Sequence, residues 1–188
     1  MSVSVLVYGD SIVANLPLPD DDAFIQWNVQ SLAGLTLERA LQMEQQQIGL
    51  SSLLLNTSSS TSEKKCEPKK TNLYQAVILC LGSNDVGHGF TIEEIVKNMK
   101  QMIEFVRTFG IKHVGWIGMP QRDVESYEIQ NKSIRIYCES TEDVQFLECF
   151  HPSDIHSSHF QADGIHPSAI GRVALAMCLQ DFVIDWFA

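Results

Sequence analysis

The sequence has a deficit of positive charge and no long hydrophobic run. Its 188 residues include 13 Lys and Arg against 23 Asp and Glu, which gives a formal net charge of −10 at pH 7. Nucleic-acid binding relies on clustered Lys and Arg that contact phosphates, so we expect no nucleic-acid partner and no docking on anionic lipid. No stretch reaches the roughly 18 apolar residues of a membrane-spanning helix, so we also expect no integral membrane segment.

Leader and disulfide signals are also missing. Met1 and Ser2 lead directly into an apolar strand, without the basic segment and longer apolar core of a signal peptide. The five cysteines form an odd set with no CxxC pair: Cys66, Cys80, Cys138, Cys149 and Cys178. This pattern favours reduced, mostly buried thiols. Together these features predict a cytoplasmic protein.

What the sequence does contain is an alternation of apolar strands and amphipathic helices. The predicted strands cover 3–8, 23–29, 74–82, 111–119 and 144–150, and the predicted helices cover 36–48, 91–110, 124–140 and 167–187. Such alternation predicts an α/β protein with a parallel sheet covered on both faces and joined by right-handed crossovers. Because the chain is 45% hydrophobic and 19% charged and shows no repeat, we expect a single domain over 1–188.

Several residues mark the predicted helix ends. Thr36 is placed to cap the first helix, and Thr91 with Glu94 forms a capping box at the start of the second. Gly110 stands where that second helix ends. Pro167 is expected in the first turn of the last helix, where a missing N–H is harmless.

Residues 51–71 differ from the rest of the chain. The second half of this segment is rich in Ser, Thr and Lys, which predicts a flexible surface insertion between a helix and the third strand. A lid over the site or a phosphorylation site is the alternative. The three leucines at 53–55 could extend the preceding helix or cover the site.

Polar residues follow each predicted strand. These are Gly9 to Ser11 after the first, 28–34 after the second, Gly82 to Asp85 after the third, 119–122 after the fourth and Asp163 to Pro167 after the fifth. In an open α/β sheet, ligands bind beyond the carboxyl ends of the strands. We therefore expect a serine, an amide, an aspartate and a histidine to meet at one edge.

This set of residues fits acyl transfer. A serine hydroxyl such as that of Ser11 is a weak nucleophile until a base takes its proton, and His166 is the natural base. Asp163, three residues earlier, can hold the imidazole in one tautomer and stabilise its charged form. The backbone N–H of Ser11, at a helix entry, and the amide of Asn84 suit a developing oxyanion. Gly34 can bring another N–H close because it has no side chain.

Each of these motifs is also explained by an ordinary turn when taken alone. GDS, GSND and DGIHP all contain residues that turns favour, and many glycines serve plain turns. Their joint order, each after the expected strand, is what favours an active site.

In these blocks the sequence resembles the SGNH hydrolases, also called GDSL esterases and lipases. The matching blocks are YGDSI with Ser11, SLAGLT with Gly34, LGSNDVG with Asn84, and DGIHPS with Asp163 and His166. The resemblance covers residues 3–185. It implies a flavodoxin-like three-layer α/β/α sandwich whose five parallel strands lie in the order 2-1-3-4-5.

The resemblance also implies roles for these residues. Ser11 is the expected nucleophile, and Asp163 and His166 complete its triad. The N–H groups of Ser11 and Gly34 and the side chain of Asn84 are expected to form the oxyanion hole. Ile12 replaces the leucine of the family name, which leaves the catalytic atoms unchanged. An α/β-hydrolase would instead contain a GxSxG elbow, which the sequence lacks.

The sequence therefore predicts a serine esterase without cofactor or metal, acting on a small-molecule or lipid ester. Short acyl or acetyl esters are favoured, because a short chain without a large cap leaves a shallow site. The alternatives are a lysophospholipase or acyltransferase of the same fold, a catalytically inactive binding module, and a metal-dependent phosphoesterase. The last would use Asp10, Asn84, Asp163 and His166 as ligands. The oligomeric state is open.

Further side chains are candidates for the substrate pocket because they lie in the same loops. They are Ile12, Leu35, His88, Gln121 and His159. The spacing of His151, His156 and His159 matches no familiar zinc pattern, so these are expected to line the loop or to face solvent. His113 is expected to pack within a strand.

Overall fold

The computed structural model describes residues 2–19, 23–54, 73–121, 123–153 and 155–188. Of the expected insertion at 51–71, only residues 51–54 fall within these ranges, so the prediction of a flexible segment lies mostly outside them. Residues 51–54 do not extend the preceding helix. They belong to a separate short helix that begins at Leu50.

Five parallel strands form the sheet. They are β1 (Val3–Gly9), β2 (Ile25–Ser31), β3 (Ala76–Cys80), β4 (His113–Ile117) and β5 (Val144–Leu147). Their order is β2-β1-β3-β4-β5, and every neighbouring pair is parallel. This confirms the predicted topology. The central strands read as continuous apolar runs because both of their faces are buried.

Six helices are present among the described residues. They are α1 (Leu37–Gln45), α2 (Leu50–Leu54), α3 (Ser83–Gly87), α4 (Ile92–Arg107), α5 (Val124–Glu139) and α6 (Ala169–Phe187). Short 3-10 turns cover Ser11–Val13 and Ser157–His159. The four long helices match the sequence prediction. The short helices α2 and α3 were not predicted, because five residues are too few for a helical hydrophobic period.

The helix starts follow the predicted caps. Thr36 Oγ1 accepts from the Arg39 N–H at 3.2 Å. Thr91 and Glu94 form the reciprocal capping box, with the Thr91 N–H donating to Glu94 Oε2 at 2.9 Å. Gly110 has φ +75°, which suits a residue without Cβ just after the end of α4.

One prediction at a helix end was wrong. Ser168, not a residue before Pro167, caps α6, and its Oγ accepts from the Gly171 N–H at 3.1 Å. Pro167 therefore lies before the cap and outside the first turn. The serine hydroxyl accepts a backbone N–H of the first turn, which a proline side chain cannot do, so the helix begins at Ala169, two residues later than predicted.

The helices cover the sheet on both faces. On one face, Met99 and Ile103 of α4 belong to the same buried cluster as Leu79 of β3. On the other, Leu175 and Leu179 of α6 pack into a second cluster with the alternate strand residues. The result is an α/β/α sandwich, as predicted. None of the helices within the described ranges is long and apolar enough to cross a membrane.

The cysteines depart from the prediction of reduced thiols. Cys149 and Cys178 form a disulfide that ties the chain after β5 to α6. Cys80 and Cys138 are free and buried, as expected, and Cys66 lies outside the described residues. The paired cysteines are 29 residues apart with no motif between them. Their contact depends on how α6 packs against the sheet, which an odd cysteine count does not reveal.

Candidate active site

Three side chains from distant parts of the chain form one hydrogen-bonded series at the carboxyl edge of the sheet. Ser11 Oγ lies 2.9 Å from His166 Nε2, although 155 residues separate them. His166 Nδ1 lies 2.7 Å from Asp163 Oδ2. Ser11 begins the turn after β1, whereas Asp163 and His166 lie between β5 and α6. The structure thus brings the predicted serine, histidine and aspartate into contact.

Asp163 is held as a carboxylate. Its Oδ1 accepts from the backbone N–H groups of Ile165, at 2.9 Å, and His166, at 3.0 Å. The Ile165 N–H, the His166 side chain and the His166 N–H lower the pKa of Asp163 to about 2. Because an ionised carboxylate only accepts hydrogen bonds, Nδ1 of His166 is the protonated nitrogen. In the neutral ring, Nε2 then faces Ser11 as a proton acceptor.

The loop that carries Asp163 and His166 is fixed from both sides. The Gln161 N–H donates to the His166 carbonyl at 2.8 Å. Gly164 adopts φ +71°, a left-handed conformation that glycine reaches without strain. At the start of α6, a Cβ on Gly171 would lie 1.9 Å from the His159 carbonyl oxygen. Only glycine allows this close approach of α6 to the loop.

Asp10, the residue before the serine, forms a second contact with Asn84. Asp10 is only 1% exposed, and its Oδ1 accepts from the Ile12 N–H at 2.9 Å. Its Oδ2 accepts from Asn84 Nδ2 at 3.1 Å, and the same nitrogen donates to the Leu35 carbonyl at 3.2 Å. Both amide hydrogens of Asn84 therefore have partners in this structure.

Gly34 lies in an exposed turn next to these groups. It adopts φ +70°, and nothing lies within 4 Å of the position of a Cβ. The Leu35 N–H donates to the Leu32 carbonyl at 3.1 Å, and the Leu32 N–H donates to the Gly9 carbonyl at 2.9 Å. These bonds hold the turn against the end of β1, one residue away from the contact between Asn84 and Leu35.

The sequence of the chain matches the profile of the GDSL-like Lipase/Acylhydrolase family over residues 7–173. The chain belongs to this family. The match spans the blocks that contain Ser11, Gly34, Asn84, Asp163 and His166. Membership of the family, together with the fold, identifies the chain as a serine ester hydrolase.

Solved structures share the fold of this hydrolase at low sequence identity. The psychrotrophic esterase EstA from Pseudoalteromonas sp. is 18% identical, with a TM-score of 0.68 and 99% of each chain covered. The acetylxylan esterase Axe2 from Geobacillus stearothermophilus is 11% identical, with a TM-score of 0.69 over 95% of this chain and 93% of Axe2. The lipase/acylhydrolase from Enterococcus faecalis is 16% identical, with a TM-score of 0.66 over 97% and 95%. No curated protein matches the sequence significantly.

Burial changes the acidity of Asp10 in the hydrolase. Loss of hydration raises the pKa of Asp10 to about 6, although the Ile12 N–H and the nearby His166 act in the opposite direction. An unfolded aspartate titrates near 4, so the native state binds more protons than the unfolded state between about pH 4 and pH 6. Stability from this group is therefore present at low pH and is lost as pH rises through that window.

We expect Asp10→Asn to remove this pH dependence. A shift of about two pKa units corresponds to about 3 kcal/mol, so the free energy of unfolding of the wild type falls relative to the variant by about that amount between pH 4 and pH 7. Urea unfolding across this range measures the difference. Asp123→Asn is the control, because Asp123 is an exposed helix cap. Parallel curves for wild type and Asp10→Asn contradict the burial argument.

Two cavities lie at the loop that carries Asp163 and His166, and one of them is lined by Ser11 and His166. The first, of about 320 Å³, is lined by Ser11, Ile12, Ala14, Asn15, Gln161, His166, Pro167 and Arg172. The second, of about 310 Å³, is lined by Gln121, Pro152, Ile155, His156, Ser157, Phe160, Gln161, Ala162 and Gly164. Gln161 lines both, so the two cavities are neighbours.

Of the five expected pocket residues, the structure places two in these cavities. Ile12 lines the first and Gln121 the second. The side chain of Leu35 is 1% exposed and packs in the core. Its backbone carbonyl, and not its side chain, faces the site by accepting from Asn84. His88 binds the Asn84 carbonyl through Nδ1 at 2.6 Å, and His159 binds the backbone of His156. The burial of Leu35 contradicts the expectation that its side chain lines the pocket. His88 and His159 line neither of these two cavities, and a role for them in substrate binding stays a prediction.

A metal-dependent phosphoesterase was the alternative hypothesis. Its candidate metal ligands bind other protein groups in this structure. Asp10 accepts from Ile12 and Asn84, and Asp163 accepts from His166. Among the described residues, ligand atoms do come together at Glu128, Glu148 and His151, within 4.8 Å of one another. There, however, Arg135 Nη2 lies 2.6 Å from Glu148 Oε1 and supplies the positive charge.

The remaining histidines lie in three different environments. His113 begins β4 and packs against Trp186 and Phe187, with ring centroids 5.9 Å and 4.8 Å away. His156 lines the second cavity, as expected for the loop histidines, whereas His151 bonds to Ser153 at 2.6 Å.

Sequence reasoning missed two contributors to the site. Asp85, next to Asn84, accepts the Leu37 N–H at 3.0 Å with each carboxylate oxygen and so caps α1. Arg172 reaches the first cavity from α6. Arg172 lies six residues after His166 in a helix that begins at Ala169, and this spacing was the available signal.

Proposed function

We propose that the hydrolase cleaves carboxylic esters with short acyl groups, acetyl esters above all, through an acyl-enzyme intermediate on Ser11. The observation that carries the proposal is the hydrogen-bonded series Ser11–His166–Asp163. A serine, a base and a group that orients the base are the arrangement that nucleophilic catalysis requires. The buried Asp10 holds the N–H of Ile12 and the side chain of Asn84, and so fixes the chain on both sides of the serine.

In the first half-reaction, His166 Nε2 takes the proton from Ser11 Oγ as the oxygen attacks the ester carbonyl. The imidazolium that forms is stabilised by the Asp163 carboxylate, 2.7 Å from Nδ1. His166 then gives the proton to the leaving alcohol. In the second half-reaction, water attacks the acyl-enzyme with His166 again as base.

We propose that the N–H groups of Ser11 and Gly34 and the amide of Asn84 bind the oxyanion. Asn84 has to release one of its two present partners to do so. The bond to the neutral Leu35 carbonyl, at 3.2 Å, is the one expected to break, because a charged oxyanion is the stronger acceptor. Asp10 would keep its bond to Asn84 and so hold the amide in place.

The size of the site supports a short acyl group. The two cavities measure about 320 and 310 Å³ and have to hold both the acyl and the alcohol parts of a substrate. An acetylxylan esterase is among the structures with this fold.

A lysophospholipase or acyltransferase remains the alternative, because both share the first half-reaction. The cytoplasmic location stays a prediction. It rested in part on reduced cysteines, and the Cys149–Cys178 disulfide weakens that part of the argument.

We expect the ratio kcat/KM to decrease as the acyl chain lengthens. A series of para-nitrophenyl esters from acetate through butyrate to palmitate measures this directly. Addition of glycerol at high concentration separates water from alcohol as acyl acceptor, by the amount of glycerol ester formed. Highest activity on palmitate contradicts the short-acyl proposal, and glycerol ester as the main product favours the acyltransferase.

A further inference from the structure

The cavity at Ser11 lies on the side of the leaving alcohol. His166, which is proposed to give its proton to that alcohol, lines the cavity together with Ser11. Gly34 and Asn84, the proposed oxyanion donors, do not line it. This cavity is therefore the place where the alcohol part of the ester is expected to lie, and its side chains select the alcohol.

Arg172 is the permanently charged side chain in the lining of this cavity. A guanidinium has five N–H donors in a planar fork. The structure pairs Nη1 of Arg172 with the Pro167 carbonyl at 3.2 Å. The ion pairs found among the described residues do not include Arg172. Its charge is thus not neutralised by a described carboxylate.

Two other arginines show the usual arrangement in this acidic chain. Arg107 lies 3.2 Å from Glu104, and Arg135 lies 2.6 Å from Glu148. With a net charge of −10, carboxylates are abundant, yet Arg172 lines the cavity of the serine and forms no ion pair with a carboxylate of the described residues. A half-buried arginine without an acid partner is suited to an anion supplied from outside.

The other groups around the cavity are compatible with an anion. Asn15 and Gln161 line it with amide side chains that can donate hydrogen bonds. The nearby carboxylates already have partners, because Asp163 binds His166 and the buried Asp10 binds Ile12 and Asn84. Neither Asp163 nor Asp10 lines the cavity, so Arg172 is the permanently charged side chain that a ligand meets there.

We propose that Arg172 binds an anionic group, a carboxylate or a phosphate, on the alcohol part of the ester substrate. The planar fork of arginine matches both of these anions. The inference rests on the proposed esterase function and narrows its substrates to esters of acidic alcohols. Because the Arg172 side chain is only half buried, its hydrogen bonds to an anion should be at the weak end of the charge-assisted range. The expected preference for an anionic ester over its neutral partner is therefore about tenfold in kcat/KM.

Two matched pairs of acetate esters test the proposal. One pair is meta-acetoxybenzoate and meta-acetoxybenzamide, and the other is acetyl glycerol phosphate and acetyl glycerol. The readout is the ratio of kcat/KM for the anionic ester to that for its neutral partner, so a general loss of activity cancels. The pair with the larger ratio distinguishes a carboxylate from a phosphate. In wild type we expect a ratio of about ten in at least one pair.

Substitutions of Arg172 test whether its guanidinium causes the preference for the anionic ester. In Arg172→Gln it is expected to fall to about one, and Arg172→Lys is expected to restore part of it, because the charge returns without the fork. Arg39→Gln, on the exposed face of α1, removes the same charge elsewhere and is expected to leave the ratio unchanged. Ratios near one in wild type, or a ratio that Arg172→Gln does not change, overturn the proposal. If wild type hydrolyses none of the four esters, the esterase function itself fails.

Discussion

Replacing Ser11 with alanine is expected to reduce ester hydrolysis by a factor on the order of 10⁴ or more. The hydroxyl is the only part of Ser11 that the change removes, and it is the proposed nucleophile. The backbone N–H stays, and so do the bonds that hold Asp10 and Asn84. Steady-state kinetics on para-nitrophenyl acetate measure the loss, and circular dichroism with thermal unfolding checks that the fold is intact.

A serine elsewhere on the surface provides the matched control. Ser140→Ala removes a hydroxyl at the end of α5, where it donates to the Tyr137 carbonyl at 2.9 Å. We expect the activity of this variant to equal that of wild type. If Ser11→Ala retains activity within tenfold of wild type, the nucleophile is another group and the mechanism proposed above is wrong.

Asp163→Asn is expected to lower kcat by a factor of roughly 10³ to 10⁴. The asparagine oxygen can still accept from the Ile165 and His166 N–H groups, so the loop keeps its shape. The amide NH2, however, then faces Nδ1 of His166 and favours the tautomer whose proton lies on Nε2. That proton blocks the acceptance of a second one from Ser11. Because 46% of the Asp163 side chain is exposed, water can stand in for part of its effect, which places the expected loss toward the lower end.

The expected loss lies in kcat and not in KM, because Asp163 acts through His166. Asp123→Asn is the control, since Asp123 is also an exposed aspartate that accepts from a backbone N–H, that of Ser126 at 2.8 Å. A decrease of less than tenfold for Asp163→Asn indicates that Asp163 serves only the turn, through its bonds to Ile165 and His166.

Local patterns in the sequence account for much of the fold. The capping box at Thr91 and Glu94 fixes the start of α4, and the apolar run before Gly9 fixes β1. Both depend on neighbours within a few residues, which a sequence displays directly. The meeting of Ser11 and His166 was also predictable, because each follows a strand and the carboxyl ends of parallel strands share one edge.

Contacts set by tertiary packing were not predictable in the same way. The Cys149–Cys178 disulfide depends on how α6 lies against the end of β5. Whether the Leu35 side chain faces the pocket or the core depends on one turn, and this turn directs it into the core. The position of Arg172 in the cavity follows from the rotation of α6 about its axis, which is fixed by the close approach of Gly171 to His159.

The most direct test of the central claim is covalent labelling with a fluorophosphonate probe, followed by mass spectrometry of the digested protein. This probe reacts with serines that a nearby base has activated. We expect one adduct on the peptide that contains Ser11, in wild type and not in Ser11→Ala. An adduct on a different residue, or no adduct on a well-folded sample, contradicts the assignment of Ser11 as the nucleophile of this hydrolase.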